Sequence, residues 1–214
     1  MIISRVMTKN PVYVHPGASI TETRALMDRE KVAHLPVLDY NSMLAGIVTK
    51  QDLFKASPSE ATSLDMYEIS YLLSKMKVQE IMVKKVITVA ENEVVEEAAR
   101  IMADKNIGCL PVMRGTLLVG IITDTDLFRV FVNAFGARHA GVRITLSMGE
   151  YPGEIARISG AIAAKGGNIV SLVTTEGDDV AHRRCTIKVE GPSRSELEAA
   201  LKDIASVVVE DIRE

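Results

Sequence analysis

Between residues 6 and 131 the alternation of hydrophobic and polar positions passes twice through the same series of periods. Each pass opens on a short apolar stretch, VYV at 12–14 or ITV at 87–89, which predicts a strand. A segment with helical spacing follows, SITETRALMDREK in the first pass and EVVEEAARIMADKN in the second. In the first of these Ile20, Leu26 and Met27 share a face, and Ser19 with Glu22 forms a capping box at the start. Next come LPVLD or LPVM, a tight turn, and GIVT or GIIT, which predict the two strands of a hairpin. A second helix begins at the Thr and carries DLF. The unit is therefore β-α-β-β-α. One copy is too small to bury its sheet face well, so the two copies are expected to pack together.

The register of the repeat is close. Met7 and Met82, Met27 and Met102, and Pro36 and Pro111 each stand 75 residues apart. Gly46 and Gly120, Thr49 and Thr123, and Asp52 and Asp126 stand 74 apart. The missing residue falls between the Pro and the Gly, as a shortened hairpin loop requires. Between the copies, Ile69, Leu72, Leu73 and Met76 recur at helical spacing, which predicts a helix that docks one copy on the other.

After residue 141 the pattern changes. VRITLSM alternates as a strand, and YPGEIARISGAIAAKGG predicts a helix between Pro152 and Gly166 with Ile155, Ile158 and Ile162 on its buried face. NIVSLVTT and VAHRRCTIKVEG predict two strands, with Ala181, Cys185, Ile187 and Val189 alternating inward in the latter. Ser193 and Glu196 cap a helix carrying Leu197, Leu201 and Ile204, and SVVVEDI closes the series. The order β-α-β-β-α-β is a ferredoxin-like plan. The fold class is thus α+β, with expected boundaries at 1–56, 57–77 (a helical link), 78–134, 135–141 (a second link) and 142–214.

Composition narrows the function classes. A formal net charge of -3 carries no electrostatic footprint for nucleic acid. MIISRVMTKNPVYV breaks into charge and Pro too early for the apolar part of a signal peptide, and no stretch approaches the ~20 apolar residues of a membrane span, so a cytoplasmic protein is expected. Cys109 and Cys185 have no CxxC or CxxH neighbourhood, and the four histidines are scattered, so neither a metal site nor a disulfide framework is indicated. No P-loop or HExxH occurs, and no Ser or Cys has a His partner in its sequence context. The expectation is a protein that is not an enzyme.

The remaining candidate chemistry lies in TKQD and TDTD. A Thr followed three residues later by Asp caps a helix whether or not a ligand exists. The same carboxylate can accept hydrogen bonds from both hydroxyls of a ribose, the Thr hydroxyl can reach a sugar or phosphate oxygen, and Gly46 or Gly120 just before permits close backbone approach. Both readings stand on these residues. The copies differ inside the motif: Lys50 and Gln51 place positive charge where Asp124 and Thr125 place negative charge, so the first site is expected to tolerate more phosphate.

VMTKNPVYV, HLPVLD and GIVTKQDLF, with EIMVKKVITV, CLPVM and GIITDTDLF, resemble a tandem pair of CBS domains, a Bateman module. That resemblance implies two clefts for adenosine-containing ligands such as AMP, ADP or ATP. It assigns Thr49 and Asp52 to one cleft and Thr123 and Asp126 to the other, with Val12, Ile87, His34 and Cys109 near the adenine. EYPGEIARI and GGNIVSL are similar to an ACT domain, which implies an amino acid or small metabolite near Gly153 and Asn168 at an interface between paired domains, hence a homodimer. Glu150 stands where that family often has Asp. Taken together with MYEISYLLSKMKV, the arrangement resembles the acetoin-utilisation AcuB-type proteins. The implied function is a non-catalytic regulatory sensor acting on another protein; the alternative is a scaffold whose motifs only cap helices.

Overall fold

The computed structural model describes residues 1–56 and 66–214, and of residues 66, 69, 70 and 72 the backbone alone. The chain divides into two compact units, Met1–Leu127 and Phe128–Glu214. No helix among the described residues is long and apolar enough to cross a membrane.

In the first unit the order is β1 (Thr8–Lys9), α1 (Ile20–Glu30), β2 (His34–Leu38), β3 (Leu44–Thr49), α2 (Lys50–Ala56), α3 (Met66–Lys75), α4 (Val78–Ile81), β4 (Val89–Ala90), α5 (Val95–Lys105), β5 (Cys109–Arg114), β6 (Leu117–Thr123) and the start of α6 (Asp124–Ala134). Ser19 caps α1 through the reciprocal bonds of a capping box, and α1 buries Ile20 and Met27. Both α1 and α5 end on a left-handed residue, Lys31 and Asn106 respectively, as a helix stop before a strand requires. The two hairpins, β2–β3 and β5–β6, pair in the expected register, and the shorter turn, Gly115–Thr116, lies in the second.

The strands at VYV and ITV are reduced in the structure. Val12 and Tyr13 are exposed, and only Val14 makes a bridge, to Val37. In the second copy Val89 and Ala90 pair parallel with β5. What extends each sheet lies earlier in the chain. Thr8 and Lys9 of the first copy pair with Ile121 and Gly120 in the second, and Val83 of the second bridges Ile47 in the first through two hydrogen bonds of 2.9 and 3.0 Å. Each repeat thus lends a short segment to the sheet of the other. Helix α3 packs on α1, with Leu73 and Met76 in the first copy's core. The side chains of Ile69 and Leu72, and residues 57–65 of the expected link, lie outside the described residues.

The second unit contains β7 (Val142–Gly149), α7 (Glu154–Ala164), β8 (Asn168–Glu176), β9 (His182–Glu190), α8 (Arg194–Lys202) and β10 (Val207–Arg213). The sheet order β10-β7-β9-β8 is antiparallel throughout, the ferredoxin-like β-α-β-β-α-β arrangement. Ile144, Leu146, Cys185, Ile187 and Val189 point inward against Ile158, Ile162, Leu197 and Leu201, all fully buried. Burial of one such Ile or Leu side chain stabilises the fold by about 1.5–3 kcal/mol. Ile155 departs from the expected buried face and is 45% exposed. It sits in the first turn of α7 and lines a cavity beside the loop from β7. Ala181 precedes β9 and is likewise exposed.

Candidate functional site

The Thr and Asp of each motif form a complete capping box. In the first copy the Thr49 hydroxyl and backbone N–H donate to Asp52 Oδ2 at 2.7 and 2.8 Å, and the Asp52 N–H donates to Thr49 Oγ1 at 3.2 Å. In the second, the Thr123 hydroxyl and N–H reach Asp126 Oδ2 at 2.9 and 3.0 Å, with the return bond at 3.4 Å. Each box is tied to the start of its own hairpin, since Lys50 N–H donates to the Ala33 carbonyl and Asp124 N–H to that of Gly108. Asp126 is buried, at 5% exposure, whereas Asp52 is half-buried.

The glycines before the boxes accommodate protein. A Cβ on Gly46 would lie 3.0 Å from the Val83 carbonyl oxygen and against the Met82 thioether. A Cβ on Gly120 would lie 3.0 Å from the Thr8 carbonyl oxygen and against the Met7 thioether. The close approach expected at these positions is therefore that of the segment exchanged between the repeats. No side chain fits there without displacing it.

A cavity of about 400 Å³ opens beside the first box. Thr49, Lys50, Gln51 and Asp52 line it with Ala33, His34 and Ile47 of the first copy. Val83, Lys85, Val86, Ile87 and Asn106–Cys109 of the second copy supply the rest. Of the sequence-derived candidates, Thr49, Asp52, His34, Ile87 and Cys109 meet in this space; Val12, Thr123 and Asp126 do not line it. Ile87 is 38% exposed and Val12 is 36% exposed, so neither is strand core. Val83, Val86 and Asn106–Gly108 were not singled out by the sequence. The signal for Val83 and its neighbours is long-range, since nothing local announces that this segment crosses to the other copy.

The electrostatics of the cavity are mixed. Burial holds the His34 imidazole below its ordinary value, while the carboxylates of Asp124 and Asp52 pull it upward. Cys109, its register mate, is buried, and burial together with those carboxylates pushes the thiol up to about 12. It is a protonated thiol at neutral pH and a poor nucleophile. Lys50 lines the cavity, yet its ammonium donates to Asp28 at 2.8 Å in an exposed ion pair, which partly neutralises the charge expected there. Lys85 has no ion pair among the described residues.

In the second unit a cavity of about 570 Å³ lies under the loop between β7 and α7, lined by Met148–Ala156, Thr174 and Arg183. Gly153 sits in it with φ 95°, a backbone conformation that favours Gly. Arg183 donates to Glu150 at 2.7 Å. The buried Glu154 carboxylate accepts from Arg157 at 2.9 Å and from the Ser206 hydroxyl. Asn168 lies elsewhere: it opens β8 opposite Glu190, whereas Arg183 pairs with Glu176 at the far end of the same strand. A single chain does not bring Gly153 and Asn168 together.

Comparison with known proteins adds to this geometry. The model of the CBS domain matches residues 3–59 and 78–133, more than half of the chain. The chain belongs to the CBS-domain family. The CBS pair is followed by a TTHA0829-like ACT domain matched at residues 140–213. Curated relatives of this CBS-domain protein include the L-aspartate semialdehyde sulfurtransferase of Methanocaldococcus jannaschii, 30% identical over 61% of this chain and 23% of that protein. A homoserine O-acetyltransferase of Methanohalobium evestigatum is 30% identical over 60% of this chain and 24% of its own length. The chain spans less than a quarter of either relative.

Solved structures match over more of their own length. The CBS pair of protein MJ0100, in complex with 5′-methylthioadenosine and S-adenosyl-L-methionine, is 29% identical with a TM-score of 0.52, over 65% of this chain and 98% of that one. The Vibrio cholerae protein assigned as the acetoin utilization protein AcuB is 30% identical with a TM-score of 0.53, over 64% and 95%. CBSX2 in complex with AMP is 30% identical with a TM-score of 0.50, over 61% and 96%.

Proposed function

We propose that the CBS pair is a regulatory sensor that binds an adenosine-containing ligand, such as AMP, ADP, ATP or an S-adenosyl compound, in the cavity beside Thr49 and Asp52. The observation that carries this reading is the 400 Å³ space in which that box meets an apolar wall of Ile47, Val83, Val86 and Ile87. A carboxylate beside an apolar slot suits a nucleoside, with the ribose hydroxyls donating to Asp52 and the base against the aliphatic wall. The complexes of MJ0100 and CBSX2 with adenosyl compounds support it. Thr123 and Asp126, with Val12, form the equivalent position in the second copy. The role is non-catalytic and cytoplasmic, and the likeness to AcuB supports a place in acetoin utilisation.

The ACT domain takes an amino acid or small metabolite near Gly153. A site that uses both Gly153 and Asn168 needs two copies of the chain, which is the physical reason for proposing a homodimer. Regulation follows only if the ligand prefers one arrangement of the protein over another, since equal affinity for both shifts nothing. A second reading, a scaffold whose boxes only cap helices, draws on the commitment of both Asp Oδ2 atoms to those caps.

Thermal unfolding in the presence of AMP, ADP, ATP and S-adenosyl-L-methionine separates the two. The sensor reading expects at least one to raise Tm, and expects Asp52→Asn, which keeps a cap acceptor, to weaken that ligand at least about tenfold by calorimetry. No shift with any of the four would leave the scaffold.

A further inference from the structure

The internal repeat permits a comparison that no single site offers, because the residues around the cavity have register mates in the other copy. Several pairs are alike: Thr49 with Thr123, Asp52 with Asp126, Ile87 with Val12. The difference is concentrated in charge. Lys85 and Lys50 line the cavity, whereas their mates are Asn10 and Asp124. Two cations on one side thus correspond to an amide and a carboxylate on the other, while Asn106 at the cavity corresponds to Lys31, which ends α1. The Asp124 carboxylate lies between the two boxes, close to residues that also line the Asp52 cavity: a Cβ on Gly108 would lie 3.3 Å from its Oδ2 and 3.5 Å from His34 Nε2.

The two lysines are not equivalent. Lys50 is held by Asp28 at 2.8 Å, while Lys85 stands at the cavity wall on the exchanged segment Val83–Ile87 with no ion pair among the described residues. An unpaired ammonium two residues before Ile87 is placed to meet an anionic group projecting from a nucleoside whose base lies on Ile87 and Val86.

Resting on the adenosyl reading above, we propose that the Asp52 cleft selects adenosine ligands that carry a phosphate, with Lys85 as the specificity-determining residue. The Asp126 position, with Asn10 and Asp124, disfavours phosphate. The repeat is then a pair of unlike receptors, one for the phosphorylated nucleoside and one for an uncharged or cationic adenosyl compound.

Titration calorimetry of the full chain with AMP and with adenosine, which differ only in the phosphate, tests this. The wild-type protein is expected to bind AMP roughly tenfold more tightly than adenosine, with the preference shrinking as salt is added. Lys85→Asn, which installs the second copy's residue, should abolish the preference while adenosine affinity stays within about threefold. In the opposite direction, Asn10→Lys combined with Asp124→Lys should create a second AMP equivalent. Equal affinity of the wild type for AMP and adenosine would overturn the phosphate selection and leave the adenosyl reading standing. A Lys85→Asn variant that weakens both ligands alike would overturn it too. Binding of neither ligand would overturn both.

Discussion

The Thr49–Asp52 and Thr123–Asp126 boxes have the same three hydrogen bonds, and no corresponding distance differs by more than 0.2 Å. Their surroundings differ: Asp126 is buried, whereas Asp52 is half-buried and lines a cavity. The contrast separates two requirements that a sequence motif merges. Starting a helix fixes the geometry of the box in both copies, and what the neighbouring segment contributes decides what that geometry can hold. Capping and ligand binding therefore place the same demand on the Thr and the Asp, and differ in what they demand of residues 83–87 and 106–109.

The strongest test of the symmetry is at the glycines. Gly120→Val and Gly46→Val should each destabilise the protein by about 2–3 kcal/mol in chemical denaturation, because a branched side chain displaces an exchanged segment packed within van der Waals distance. Similar costs at the two positions would sharpen the comparison. A Gly46→Val change without cost would break it, since the exchange would then be tight on one side alone.

At the boxes the expected effects are smaller and unequal. Asp126→Ala removes a buried cap and should cost about 2 kcal/mol, whereas Asp52→Ala should cost about 1 kcal/mol, as its surroundings admit water. Equal losses of Tm would show that the difference in burial has no energetic weight.

The smallest effect concerns His34 and Cys109. Burial depresses the histidine, so the unfolded chain takes up the proton first as pH falls. The stability contributed by neutral His34 is present above its ordinary value of 6.5 and is lost as pH falls through it. The difference in denaturation midpoint between His34→Gln and wild type should be constant above pH 7.5, with the wild type losing more stability than the variant towards pH 5.5. Cys109, pushed up to about 12, has no titration in that window. A Cys109→Ser variant with the same change in slope would contradict this assignment.

Much of the architecture was legible because it is written in local periods. The shared face of Ile20 and Met27, the Ser19–Glu22 and Ser193–Glu196 caps, and the alternation of Cys185, Ile187 and Val189 each concern residues a few positions apart. The features that escaped are those whose partners are distant. Val12 and Tyr13 look like a strand by composition, but pairing at that edge is limited to Val14. Ile155 has the spacing of a core residue, yet it lines the cavity at the β7–α7 loop and stays 45% exposed. Gly46 and Gly120 announced a close approach without naming what approaches. At the candidate site the Thr and Asp were legible from their repetition, while Val83 and Val86 were not, because a residue 31 to 37 positions away in sequence becomes a neighbour only once the exchange has formed.

That exchange has a further consequence for any molecule in the cavity. Thr49 and Asp52 belong to one repeat, and Val83–Ile87 belong to the other, with Val83 bridged to Ile47 on the sheet of the first. A ligand gripping both would act as a rivet through overlapping plates. Its binding energy would resist the sliding of one repeat past the other, so occupancy would be felt as stiffness across the seam of the pair.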